Sequence, residues 1–162
     1  MEIISHRGYW KNNQEKNTHQ AFKRSFDLNF GTETDVRDLN GKLVISHDIP
    51  TGQEMPLDDF LGLINGKEFS IALNIKSDGL VHHLAEHLSK FNIKKAFVFD
   101  MSVPDQISYY RDGRLNFFSR ASEYEPAISL YDECDGVWLD AFQSTWYDND
   151  YIGKILDRKS VV

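Results

Sequence analysis

The sequence is poor in cysteine and lacks a long hydrophobic run. Cys134 is the single cysteine among 162 residues, which excludes an intrachain disulfide and a site built from several thiolates. No apolar stretch approaches the roughly 20 residues that a membrane-spanning helix needs. Met1 leads into Ile3 and Ile4 without the basic start of a secretory signal. We therefore expect a cytoplasmic protein without a membrane span.

An excess of positive charge is also absent. The chain has 25 acidic residues against 18 Lys and Arg, and its formal net charge is −7. Because nucleic-acid-binding proteins usually present a basic face, we expect no nucleic-acid partner. The hydrophobic fraction of 41% and the chain length are typical of a single packed domain, here residues 1–162. A phosphate-bearing substrate would need cations placed locally.

Short β-rich stretches alternate with segments that have helical spacing of apolar residues. The stretches predict strands at 3–5, 31–36, 43–46, 70–75, 96–99, 116–119 and 136–139. Helices are predicted after a Thr18 cap, along 80–88, and at 104–111, 125–131 and 149–156. This order favours a parallel sheet with helical crossovers, either a barrel or an open doubly wound sheet.

Three of the later strands end in a charged residue at intervals of 20 residues, namely Asp100, Arg120 and Asp140. The carboxyl ends of parallel strands meet at one rim, where α/β proteins bind their ligands. Arg120 is a candidate phosphate ligand because its guanidinium offers paired donors. Asp100 and Asp140 are equally consistent with strands that simply end at solvent.

Residues 157–162 are typical of a turn followed by the opening of another strand, which would be the seventh of a barrel. An eight-stranded barrel usually takes about 250 residues. The barrel would then be incomplete, truncated at its C-terminal end, or covered at its open edge by another subunit of a homo-oligomer.

Two acidic residues are candidates for a metal site. Glu33 and Asp35 alternate along a predicted strand, so their carboxylates point to the same side. Two close carboxylates repel each other unless a cation lies between them, and oxygen ligands suit Mg²⁺ or Ca²⁺. The same pattern alone also fits a solvated strand face.

Two histidines are candidates for proton transfer. His6, followed by Arg7 and Gly8, comes directly after the first strand, and His47 ends another short apolar run. A neutral histidine can accept a proton from an attacking hydroxyl while a protonated one donates to the leaving oxygen, which suits phosphodiester cleavage. A histidine at a strand end is more often structural, so the prediction depends on the combination.

Four motifs in the first third of the chain together resemble those of the glycerophosphodiester phosphodiesterase family. They are His6-Arg7-Gly8, Asn17-Thr18, Gly31-x-Glu33-x-Asp35-Val36 and Asn40-Gly41-x-x-Val44-x-x-His47-Asp48. The resemblance implies a TIM-type βα barrel and hydrolysis of a glycerophosphodiester or a related small phosphodiester, sugar phosphodiesters included. It also implies a place in lipid metabolism.

The resemblance further implies a role for each matching residue. His6 and His47 would act as general base and acid. The divalent metal, Mg²⁺ or Ca²⁺, would be held by Glu33, Asp35 and Asn74. Arg7 and Lys76 would contact the phosphate, in addition to Arg120, which is a candidate on its own chemistry.

The chain departs from the family pattern in three places. Asn74 stands where the family usually has a glutamate, so metal affinity is expected to be low. Lys16 replaces an acid beside the site, although Glu15 remains adjacent. The segment from His47 to Asn74 is short and leaves little room for the insertion that often covers glycerol, so the resemblance does not fix the usual glycerophosphodiester as the substrate.

Two other functions are consistent with parts of the sequence. His83, Glu86 and His87 match the H-x-x-E-H pattern of inverted zinc peptidases, although the apolar stripe from 80 to 88 favours an amphipathic helix with these residues on its solvated flank. Asn74 and the early chain end are consistent with a phosphate- or sugar-phosphate-binding module that has lost turnover. In such a module tryptophans could stack on a sugar, the candidates being Trp10, Trp138 and Trp146.

Overall fold

The structure is a computed structural model that describes residues 2–64 and 66–162. Nine strands lie within these ranges: β1 Ile4–His6, β2 Gly31–Leu39, β3 Lys42–Ile45, β4 Met55–Pro56, β5 Ile71–Ile75, β6 Ala96–Phe99, β7 Asn116–Ala121, β8 Gly136–Leu139 and β9 Ser160–Val161. All strands except β3 and β4 are parallel. In chain order, each of these parallel strands pairs with the next to form one curved sheet. This is a TIM-type α/β arrangement.

The curved sheet is open on one side. No pairing joins β1 to β9 within residues 2–64 and 66–162, so the barrel is incomplete. The expected seventh parallel strand is confirmed, because β9 pairs with β8 through Ser160 and Val161. The predicted fold class is therefore confirmed.

β2 is longer than its parallel neighbours and carries a hairpin. Its first half, from Gly31 to Glu33, pairs with β1, while its second half, from Val36 to Leu39, pairs antiparallel with β3. β4 extends this hairpin by pairing with β3. The hairpin therefore continues beyond the carboxyl end of β1 and brings the residues after β3 to the same rim as the residues after β1.

Five α-helices cover the outer face of the sheet: α1 His19–Asp27, α2 Leu57–Ile64, α3 Val81–Lys90, α4 Val103–Asp112 and α5 Asn149–Leu156. The Thr18 hydroxyl caps α1 by accepting the amide of Ala21, as predicted. α3 buries Val81, Leu84 and Leu88, which confirms the predicted apolar stripe. None of the helices in the described ranges is both long and apolar enough to cross a membrane.

One predicted helix is wrong. Residues 125–131 form turns instead, and Ser122 and Glu125 make an isolated bridge. Two features oppose a helix there: the Glu125 carboxylate is held by Arg120, and Leu130 has a φ of 49°, outside the helical region.

The short helix α2 and strand β4 were not predicted. α2 buries Leu57, Phe60, Leu61 and Ile64 at helical spacing, so the signal was present in the sequence. The helix has only eight residues, which is short for recognition by periodicity.

Side chains on the two faces of the sheet pack into separate clusters. The larger cluster lies between the strands and the helices and includes Phe22, Phe60 and Leu73. Ala72, Phe97, Phe99 and Phe118 form the inner cluster, with Ile4 and Trp138 packed against it. The Phe97 and Phe118 rings stack with centroids 4.1 Å apart. This aromatic packing fills the lower part of the barrel and leaves its carboxyl rim for polar groups.

Candidate active site

On the inner face of the sheet, polar side chains lie beyond the apolar cluster, toward the carboxyl ends of the strands. The register pairs His6 with Glu33, Glu33 with Ala72, and Asp35 with Asn74. Because strand residues alternate between faces, residues two positions apart share a face. The inner face therefore changes from apolar to polar toward the carboxyl end, through Ile4 to His6, Ala72 to Asn74, Phe118 to Arg120 and Trp138 to Asp140. His6, Glu33, Asp35 and Asn74 therefore lie together at this rim.

The turn after β1 places one backbone amide against two oxygens of Glu33. The Arg7 amide donates to the Glu33 carbonyl at 3.0 Å and contacts its Oε2 at 3.2 Å. His6 Nε2 lies 3.8 Å from the same Oε2, while the His6 side chain stays 60% exposed. His6 is therefore next to the buried carboxylate and still open to a substrate.

Gly8 allows the chain to turn tightly against α1. Its φ is 81°, and a Cβ added there would lie 2.7 Å from Ala21. A side chain would meet both backbone strain and a steric clash, so the position requires glycine.

Asp35 is fully buried and lies among donors. Its Oδ2 is 2.9 Å from Arg7 Nε and accepts a 2.9 Å hydrogen bond from Asn17 Nδ2. Lys76 Nζ lies 3.7 Å from its Oδ1 and donates to Asp100 at 3.0 Å. Arg7 and Lys76, predicted to contact phosphate, are thus both held beside this carboxylate.

Asn17 was part of a recognised motif but was not singled out as a site residue. Its side chain donates to Asp35 and accepts a 2.9 Å hydrogen bond from Thr34 Oγ1. Its φ of 58° is a conformation that asparagine tolerates better than most residues. Asn17 therefore orients the carboxylate of Asp35 from the loop after β1.

The electrostatic environment differs between Glu33 and His6. Burial raises the pKa of Glu33 to about 8, and the negative charge of Asp35 acts in the same direction. Burial, followed by the positive charge of Arg7, lowers the pKa of His6. His6 is therefore favoured in the neutral form that can accept a proton.

The oxygens available to a cation are those of Glu33, Asp35 and Asn74. Asp35 Oδ1 and Asn74 Oδ1 are buried, and neither has a hydrogen-bond partner within residues 2–64 and 66–162. The two residues face each other in the β2–β5 register. Buried oxygens without a hydrogen-bond partner, beside a carboxyl group of raised pKa, fit an oxygen-ligated divalent cation.

The ligand set is small. In the described part of the chain, no group of three or more His, Cys, Asp or Glu residues has the arrangement of a metal site. Any cation would therefore rely on two carboxylates and the neutral amide of Asn74, which attracts a cation less than a third carboxylate would.

Arg120 lies at the rim, but its nitrogens are engaged. It contacts Asp100 through Nη1, and it donates to Glu125 through Nε at 2.5 Å and Nη2 at 3.0 Å. Asp100 also accepts from Lys76, so the predicted convergence of charged strand ends is confirmed for Asp100 and Arg120. Burial raises the pKa of Asp140, the third of these residues.

His47 follows the β3 strand of the hairpin and lies beside a large cavity. The cavity has a volume of about 910 Å³ and is lined by residues that include Arg7, Lys16, Asn17, His47 and Asp59. His47 Nδ1 is 2.9 Å from Asp48 Oδ1, and the ring is about half exposed. The hairpin therefore places the second predicted catalytic histidine on the cavity wall, close enough for its charge to affect the pKa of His6.

The zinc-peptidase motif lies elsewhere. His83, Glu86 and His87 are on α3, and the two histidine rings have centroids 5.7 Å apart. His87 contacts Asp58, which also accepts from Lys90 at 2.6 Å. No described feature joins these residues to the rim.

Comparison with known proteins found solved structures that have a similar fold. No family model and no curated protein sequence matches the chain. Among solved structures, a phosphodiesterase from Oleispira antarctica in complex with sn-glycerol-3-phosphate is similar with a TM-score of 0.78, 15% identity, and coverage of 99% of this chain and 83% of that one.

A putative glycerophosphoryl diester phosphodiesterase from Agrobacterium tumefaciens is similar with a TM-score of 0.70 and 12% identity, over 99% of this chain and 92% of that one. The chain has the glycerophosphodiester phosphodiesterase fold. The resemblance inferred from the motifs is confirmed at the level of the fold. Identities of 12–16% leave substrate and turnover to be argued from the site.

Proposed function

We propose that this protein is a phosphodiester hydrolase that acts on a glycerophosphodiester or a related small phosphodiester. The observation that carries the proposal is the convergence of His6, Arg7, Glu33, Asp35 and Lys76 on the carboxyl rim of a glycerophosphodiester phosphodiesterase fold. Ligand sites of βα barrels lie at this rim.

His6 and His47 exchange protons in this proposal. His6, favoured as the neutral base, accepts the proton of the attacking hydroxyl, which belongs either to water or to the substrate. His47 donates a proton to the leaving alcohol from the cavity side. Asp48, 2.9 Å from His47 Nδ1, orients the imidazole so that its other nitrogen can face the substrate.

Glu33, Asp35 and Asn74 are the residues that would hold a divalent cation, Mg²⁺ or Ca²⁺. When bound, such an ion supplies positive charge that stabilises the phosphoryl oxygens in the transition state. The backbone amide of Arg7 keeps the Glu33 carboxylate in place, and Asn17 does the same for Asp35.

Arg7 and Lys76 are proposed to orient the phosphate. Both cations are held beside Asp35, which fixes their position before a substrate arrives. Arg120 contributes to the phosphate site if one of its carboxylate contacts opens, since Asp100 and Glu125 use all three of its nitrogens.

The cavity is large enough for a small-molecule phosphodiester. Its volume of about 910 Å³ lies near the upper end of the usual range for small-molecule sites. The Oleispira antarctica neighbour is in complex with sn-glycerol-3-phosphate. We propose the same chemical class for this chain, with sugar alcohols also accommodated.

The test is hydrolysis of bis(p-nitrophenyl) phosphate and of a panel of glycerophosphodiesters, with and without Mg²⁺ or Ca²⁺. We expect cation-dependent turnover that His6→Ala or His47→Ala lowers by about 10²- to 10⁴-fold. His83→Ala on α3 is the matched control and should retain activity. Equal activity in all three variants would contradict the proposal.

A second candidate function is a phosphate-binding module without turnover. It is favoured by Asn74, which gives the cation site one charge fewer than a third carboxylate would, and by the ion pairs that already occupy Asp35. In that case sn-glycerol 3-phosphate would bind while no diester on the panel is cleaved. Zinc that is lost on the double change His83→Ala and His87→Ala would instead favour the peptidase.

A further inference from the structure

Lys16 is a cation on the cavity wall that differs from the other cations of the site. It follows the short 3-10 turn Asn13–Glu15, and its Nζ lies 4.5 Å from the centroid of the Trp10 ring. Trp10 Nε1 in turn donates to the His6 carbonyl at 2.9 Å. Lys16 is therefore held over the ring of Trp10, and this tryptophan is hydrogen-bonded to His6, the residue proposed as the base.

The other cations at the rim each have a carboxylate partner. Arg7 lies beside Asp35, Lys76 lies between Asp35 and Asp100, and Arg120 contacts Asp100 and Glu125; the pairs were described above. Within residues 2–64 and 66–162, Lys16 makes no ion pair with any carboxylate. It therefore lacks the close carboxylate that each of the other three cations has.

Three neighbouring acidic groups have other partners. Glu15 binds Arg24 at 2.5 Å, so it does not neutralise the adjacent Lys16. Of the cavity carboxylates, Asp48 contacts His47 and Glu54 accepts from Thr51 and Gly52 in its own loop. Asp59, in the first turn of α2, is the remaining acidic residue that lines the cavity.

We propose that Lys16 binds the non-bridging oxygens of the substrate's phosphate. A phosphodiester carries a negative charge, and the charges of Arg7, Lys76 and Arg120 are already partly balanced by Asp35, Asp100 and Glu125. Lys16 has no such carboxylate partner among the described residues, and it lines the same cavity as Arg7 and His47. This inference rests on the proposed function, because it assigns a ligand group of the same site.

The experiment measures binding of sn-glycerol 3-phosphate by calorimetry, with glycerol as the uncharged control probe. We expect Lys16→Met to weaken binding of the phosphate by about tenfold or more, since charge-assisted hydrogen bonds have contributions of this order. Lys16→Arg should stay near the wild-type affinity. Lys11→Met removes the same charge from the same loop and should leave the affinity unchanged. Circular dichroism and thermal unfolding verify that each variant is folded.

The outcomes separate this inference from the proposed function. If Lys16→Met binds as tightly as the wild type, or if Lys11→Met weakens binding equally, the inference is overturned even when hydrolysis is observed. If binding depends on Lys16 while no diester is cleaved, the inference stands and the hydrolase proposal fails. Absence of any binding by the wild type overturns the inference, while hydrolysis of the diester panel still decides the proposed function.

Discussion

Asp35 and Asn74 face each other across the β2–β5 pairing, and each carries a buried side-chain oxygen that has no hydrogen-bond partner in the described part of the chain. Such oxygens cost free energy unless water or a cation satisfies them. Since Glu33 lies on the same face, the pair defines where a divalent ion would be bound.

Restoring a carboxylate opposite Asp35 should strengthen metal binding. Asn74→Glu adds a charged oxygen ligand, so we expect the affinity for Mg²⁺ or Ca²⁺ to rise by about tenfold or more, measured by calorimetry. In the absence of metal the additional buried carboxylate should lower the thermal unfolding temperature, and addition of metal should restore it.

Asn116→Glu is the matched control for this change. Asn116 is exposed at the start of β7, so the same substitution should alter neither metal affinity nor metal-dependent stability. An Asn74→Glu protein that binds metal no better than the wild type would show that the ion is not held by these residues.

Replacement of Gly8 should destabilise the fold more than replacement of another glycine of similar backbone conformation. Gly8→Ala combines a φ of 81° with a Cβ 2.7 Å from Ala21, whereas Gly41 has a φ of 75° and, in the described ranges, no atom within 4 Å of where its Cβ would lie. We expect Gly41→Ala to cost about 1 kcal/mol and Gly8→Ala roughly 2 kcal/mol more, in denaturant unfolding. Similar losses in both variants would mean that the contact with α1 is relieved by small shifts.

Removing the Asn17 side chain should weaken the support of Asp35. Asn17→Ala takes away one donor to Asp35 and one acceptor for Thr34, so we expect a loss of about 1–3 kcal/mol in the free energy of unfolding. The measurement is urea unfolding, with Asn116→Ala as the exposed control. A change no larger than that of the control would indicate that water replaces the amide.

Asp105 should make the stability depend on pH. Burial raises the pKa of Asp105 above its usual value, although the Gly79 amide opposes this and Asp78 adds to it; Tyr109 also lies near. The folded state therefore binds the proton more tightly than the unfolded chain. The free energy of unfolding should fall as the pH rises from the usual aspartate pKa through the raised one.

Asp105→Asn is the variant that isolates this dependence, because the amide oxygen can still accept from Gly79 while the side chain no longer ionises. Urea unfolding between about pH 3 and 7 should show a flatter profile for the variant than for the wild type. Parallel profiles would assign the pH dependence to other groups.

Local sequence patterns account for much of the fold. The apolar spacing in α1 and α3 and the β-rich stretches predicted the elements, and Thr18 was correctly predicted as a cap. The prediction failed at 125–131, where the Arg120–Glu125 pair and the φ of Leu130 oppose the local helical pattern. Arg120 and Glu125 are only five residues apart, but a pattern based on the spacing of apolar residues carries no information about a charge pair or a left-handed φ.

For the site, the sequence by itself determined which residues share a face, because alternation along β2 places Glu33 and Asp35 together and the motifs identify His6 and His47. Only the tertiary structure decided the partners. Arg7 and Lys76 meet at Asp35, and Arg120 is held by Asp100, because the register of separate strands brings together residues far apart in the chain. Charge pairing across strands depends on that register, and it leaves Lys16 as the cation without a carboxylate partner among the described residues of the cavity.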